Sequence, residues 1–93
     1  MITAIVMVNA EVEQIPEVAQ RIADLESVSE VYSVTGGCDL IAMVRVHGHE
    51  ELADVIADRL SKIEGVTSTT THIAFRAYSR HDLEAAFSLG VDG

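Results

Sequence analysis

The chain of 93 residues has no tryptophan and only two phenylalanines and two tyrosines, so little is available to line a deep aromatic pocket. Lysine and arginine are scarce as well: six stand against fifteen aspartates and glutamates, a formal charge of −9. Phosphate backbones are repelled by such a balance, which excludes direct nucleic-acid binding as the expected function. A single cysteine, Cys38, forms no internal disulfide and fits a reducing, cytoplasmic setting. The longest apolar runs, residues 4–8 and 40–44, are far below the ~20 residues that span a bilayer. No basic stretch precedes an apolar one at the N-terminus, so no secretory signal is expected. The one proline, Pro16, falls where a helix tolerates it, in a first turn.

What the chain does have is a 48% hydrophobic composition, a mean hydropathy of +0.26 and an internal repeat. Residues 21–28 read Arg-Ile-Ala-Asp-Leu-Glu-Ser-Val and residues 59–66 read Arg-Leu-Ser-Lys-Ile-Glu-Gly-Val, one pattern displaced by 38. The same displacement carries Ile2, Val6 and Val8 onto Leu40, Val44 and Val46, and Val18, Ile22 and Leu25 onto Ile56, Leu60 and Ile63. Two tandem strand-helix-strand units follow, which together make an α+β, ferredoxin-like βαββαβ sandwich. The repeat fills residues 1–78 as one domain, and residues 79–93 read as a short C-terminal helix and tail.

Residues 2–9 and 40–47 are nearly all apolar and read as central strands. Residues 28–35 and 66–78 are more polar and read as edges, giving a 4-1-3-2 strand order. Ile15, Val18, Ala19, Ile22 and Leu25 have helical spacing up to Ser27, and so do Leu52, Val55, Ile56, Leu60 and Ile63. The second helix opens near Gly48 and His49, and Gly65 is expected to cap its end. Ser79 and Asp82 resemble a capping box ahead of an apolar stripe of Leu83, Ala86 and Phe87. In the two central strands Ala4, Val6, Val8, Leu40, Ala42, Val44 and Val46 share one face, while Ile5, Met7, Ile41 and Met43 share the other. Right-handed crossovers put both helices on the first face. The second is then an apolar patch that needs cover, and a second copy supplies it sheet to sheet as a dimeric α/β barrel.

Several local patterns invite a chemical reading. Gly36-Gly37-Cys38-Asp39 offers close backbone approach and a carboxylate at the start of a buried strand, or simply a hairpin whose aspartate binds local amides. The hydroxyls of residues 67–71 suit a small polar ligand or an ordinary edge strand. His47, His49, His72 and His81 with Cys38 fix no ligand set of metal spacing, so no metal and no cofactor is expected. No nucleophile elbow, phosphate loop or acid/base pair appears, and no catalytic residue is assigned.

The run Val31-Tyr32-Ser33-Val34-Thr35-Gly36-Gly37-Cys38-Asp39-Leu40-Ile41, then Leu60-Ser61-Lys62-Ile63-Glu64-Gly65-Val66 leading to Thr69 and Thr71, resembles the effector-binding domain of the leucine-responsive/asparagine regulator (Lrp/AsnC) family. The resemblance covers about residues 1–78. It implies sheet-to-sheet dimers assembled into rings, with an amino acid or similar metabolite bound between dimers. The family's contacts map onto Gly36, Gly37 and Asp39 of the hairpin and onto Thr69, Thr71, His72, Ile73 and Ala74 of the fourth strand. Cys38 stands where family members often carry a bulky residue. Family members usually add a DNA-reading helix-turn-helix domain. Without one this chain is expected to be a stand-alone effector module of transcription, assembling with itself or with full-length regulators. The alternatives are a small dimeric α/β-barrel enzyme of monooxygenase or isomerase type, and an ACT-type amino-acid domain that pairs its sheets edge to edge.

Overall fold

The computed structural model describes residues 1–78 and Arg80. The expected helix over residues 79–93, with Ser79, His81, Asp82, Leu83, Ala86 and Phe87, otherwise lies outside them. Strand β1 (Ile2–Ala10) leads through a 3-10 turn (Val12–Gln14) into helix α1 (Ile15–Ala23). Strands β2 (Val28–Ser33) and β3 (Leu40–Val46) form a hairpin. Helix α2 (His49–Ala53) runs on with wider, π-type turns over Asp54–Leu60 before β4 (Val66–Ala74). The sheet is antiparallel with order β2-β3-β1-β4. The two apolar strands are central, as their composition requires, and the fold is the ferredoxin-like sandwich expected from the repeat.

The core lies between the sheet and one layer of helix. Ala4, Val6, Val8 and Ala10 of β1 and Leu40, Ala42, Val44 and Val46 of β3 are buried against Val18 and Ile22 of α1 and Leu52, Val55 and Leu60 of the second helix. Strict alternation along both strands sends Ile5, Met7, Ile41 and Met43 to the opposite face, where they are partly exposed. Among the described residues no helix is long and apolar enough to cross a membrane.

Element ends differ from the expected ones for local reasons. α1 stops at Ala23, because the Leu25 N–H donates to Ile22 O at 3.0 Å in a tightened turn, leaving Leu25 beyond the helix. β4 stops at Ala74, so residues 75–78 extend past the sheet with Phe75 97% and Tyr78 83% exposed. The N-cap of α2 is Gly48, which has no side chain to cap the helix. Gly65 takes the positive φ (101°) expected of it, but five residues past Leu60, the last helical residue, rather than as its cap. There its carbonyl accepts the Glu11 N–H at 2.8 Å, tying the second half of the chain to the first.

Candidate functional site

The face of the sheet away from α1 and α2 is ordered in rows by strand register. Tyr32, Ile41, Met7 and Thr70 form one row across β2, β3, β1 and β4, and Glu30, Met43, Ile5 and His72 form the next. Glu30 and Tyr32 reach this face through a bulge. Between Val28 and Glu30 the pairing with β3 slips by one residue, so Val28 and Val31 both pair with core positions, Val44 and Ala42. Ser29 at the bulge donates its hydroxyl to Met43 O at 3.1 Å. The Tyr32 hydroxyl donates to the Glu30 carboxylate. That hydrogen bond, then desolvation, then the nearby negative charge raise the Tyr32 phenol above its ordinary value of 10.0.

Where the first row meets the β2–β3 hairpin, a hollow of about 400 Å³ opens. Met7, Ile41 and Val34 give it apolar walls, and Asn9, Thr35, Cys38 and Thr70 a polar rim beside Gly37. Gly36 makes the turn with φ 111°, a conformation that only glycine adopts without strain. Asp39 anchors the hairpin to β1. Its N–H donates to Val8 O at 3.0 Å, its carbonyl accepts the Val34 N–H at 3.1 Å, and its Oδ2 accepts the Ala10 N–H at 2.9 Å. The other carboxylate oxygen makes no hydrogen bond among the described residues. At the opposite end of the same face, Thr3, Ile5, Met43, Arg45, Ala74 and Phe75 border a second hollow of about 390 Å³.

The residues expected to bind a ligand do not converge within one chain. Thr69, Thr71 and Ile73 pair with Val8, Val6 and Ala4 and so lie on the helix side of the sheet; His72 and Ala74 pair with Ile5 and Thr3 and lie on the open side. Only Gly37 of the expected set borders the hairpin hollow, with Gly36 and Asp39 adjoining it in the chain. Met7, Asn9, Val34 and Thr70 were not anticipated there, and it is the register of β4 with β1 that sets Thr70 opposite Met7. Among the described residues no cluster of three or more His, Cys, Asp or Glu side chains is placed to hold a metal.

The sequence profile of the Lrp/AsnC ligand binding domain matches residues 3–83. The chain is similar to an uncharacterised helix-turn-helix-type transcriptional regulator of Pyrococcus furiosus, with 38% identity over 72 residues, 77% of this chain and 49% of that protein. It thus spans about half the length of that curated relative. A crystal structure of a Thermus thermophilus protein is similar over 86% of this chain and 100% of that one, with a TM-score of 0.81 and 46% identity. A transcriptional regulator of Neisseria meningitidis, solved as a complex with L-Met, shares the fold at a TM-score of 0.77, covering 85% of this chain and 53% of that one at 15% identity.

Proposed function

Because this chain belongs to the Lrp/AsnC ligand-binding domain family, we propose that it is an effector-sensing module of transcription regulation, which takes up an amino acid or similar small metabolite at contacts between copies of itself. The observation that carries this reading is the open sheet face. Ile5, Met7, Ile41 and Met43 form an apolar patch with no helix over it among the described residues, and a polar-rimmed hollow lies at its margin beside the family's hairpin. Pairing two such faces removes the patch from water and closes the hollow. The division of the expected ligand residues between the two sides of β4 supports a site completed by a neighbouring copy.

In this reading the hairpin amides near Gly36 and Gly37 hold the α-carboxylate of the ligand, and the free oxygen of Asp39 receives its ammonium group. The Asp39 oxygen bound to Ala10 keeps the hairpin in place meanwhile. Met7, Val34 and Ile41 would contact an uncharged side chain. With a formal charge of −9 the chain itself is no operator binder, and its regulatory effect would run through assembly with itself or with full-length regulators.

Calorimetry with the twenty amino acids, joined to light scattering with and without each binder, tests the proposal. A saturable binder that changes the assembly state is expected. Asp39→Asn keeps an oxygen for the Ala10 N–H and removes the charge, so it should weaken binding by about 1.5–3 kcal/mol, on the order of ten- to a hundredfold, at an unchanged melting temperature without ligand. Absence of any binder would overturn the effector reading.

A further inference from the structure

Far from the hairpin, where β3 ends and β1 begins, a hollow of about 450 Å³ opens between the second helix and the turn before β2. Arg45, His47 and Arg59 line it together with Glu26, Glu51 and Asp54. It sits where the repeat is broken. Displacement by 38 relates Ser27, on its wall, to Gly65. At Gly65 the helix packs so closely that a Cβ atom would lie 2.6 Å from Gln14 Oε1 and 2.7 Å from Val18 Cγ2. Ser27 carries the side chain that such an approach forbids. Its hydroxyl donates to Glu51 Oε1 at 3.4 Å, while Glu51 Oε2 accepts the His47 N–H at 2.8 Å. One joint is closed and its counterpart is open.

The charges in the open joint are mixed but not mutually satisfied. Both oxygens of Glu51 are engaged as described. The side chains of Arg45, Arg59, Glu26 and Asp54 make no hydrogen bond or ion pair among the described residues, although they border one space. In a chain with fifteen acidic and six basic residues, guanidinium groups have many carboxylates to choose from. Two that line the same hollow as three carboxylates, and pair with none, leave a gap between opposite charges that a dipolar guest would bridge.

We propose that this hollow is a binding site for a small zwitterion, a neutral free α-amino acid being the simplest case. The carboxylate of the guest meets Arg45 and Arg59, and its ammonium group meets Asp54 and Glu26. A simple anion entering the hollow would face three carboxylates, and a simple cation would face two guanidinium groups. A guest with both charges a few ångströms apart satisfies both sets. Met1 and Val55 are the apolar residues of the lining and the rest is polar or charged, so a small or polar side chain fits better than a large apolar one. The site is separate from the hairpin hollow and does not depend on the effector reading.

Titration of the uniformly ¹⁵N-labelled protein with L-glutamine, followed by amide chemical shifts, tests this. Saturable shifts are expected at the amides of Ser27, His47 and Asp54. They should weaken at least about tenfold in Arg59→Gln and in Asp54→Asn, two exposed positions where the spectrum itself reports an intact fold. Acetate alone and methylammonium alone, at matched ionic strength, should not reproduce them. The proposal is overturned if these amides do not respond, if the response is confined to the hairpin, if acetate or methylammonium alone gives the same shifts, or if both folded variants bind as the unaltered protein does.

Discussion

Tyr32 and Glu30 share one side of the sheet by strand alternation, the bulge after Val28 makes it the side of Ile41 and Met43, and their hydrogen bond changes how the phenol titrates. The raised folded value has a definite sign: any stabilisation from the pair is complete below the ordinary value of 10.0 and is lost as pH rises through the folded one. In a Tyr78→Phe background, where Tyr32 is the sole phenol, ultraviolet titration should find ionisation above pH 10, and Glu30→Gln should bring it back toward 10.0. An unchanged midpoint in Glu30→Gln would mean that the pair does not form in solution. Asp39 shows the same dependence on neighbours. Its Oδ2 satisfies a partly buried backbone donor, Ala10 N–H, so Asp39→Ala should destabilise the fold by about 1–3 kcal/mol in urea denaturation, against a small change for Asp39→Asn.

At the scale of elements, the two halves of the repeat use one plan with different joints. The first helix enters through a 3-10 turn with Pro16 near its start, while the second starts directly after Gly48 and widens into π-type turns over Asp54–Leu60, with Ser61 N–H donating to Ile56 O at 2.9 Å. Gly65 then has two reasons to be glycine: its φ of 101° and the contact with Gln14 and Val18. Gly65→Ala is expected to cost about 2 kcal/mol or more, combining backbone strain with overpacking. Gly37→Ala, which meets open space and has no positive φ, should be close to neutral. Thermal denaturation of the pair checks the contrast, and equal stability of the two variants would contradict the packing at this joint.

At the scale of the whole molecule, the decisive feature is a sheet with both α1 and α2 on one side. The core supports the fold of a single chain, and Met43 lies away from it, beside Ile5 and across from Glu30. Met43→Glu should therefore leave the circular dichroism of the chain intact while burying an unpaired charge in any face-to-face pair, at a cost of roughly 3 kcal/mol or more. Light scattering should show the variant as smaller particles than the unaltered protein. A well-folded Met43→Glu dimer would rule out this face as the contact.

The sequence by itself determined what depends on local periodicity. The 38-residue repeat, the doubly apolar runs containing Val6 and Val44, and the helical spacing of Val18 and Ile22 specify the order of elements, the central and edge strands and the two faces of the sheet. Those are properties of neighbours along the chain, so they are readable there. The candidate site was legible only as far as the hairpin. Which side of the sheet each β4 hydroxyl takes, which backbone donor Asp39 satisfies, and which face Glu30 and Tyr32 share all depend on register with another strand. A single bulge between Val28 and Glu30 shifts that register, and no pattern within β2 announces it. The tertiary structure also decided that Gly65 closes its joint while Ser27, its counterpart in the repeat, borders a hollow: the sequence shows the two residue types, and only the approach of a helix some fifty residues away from Gly65 turns their difference into a cavity.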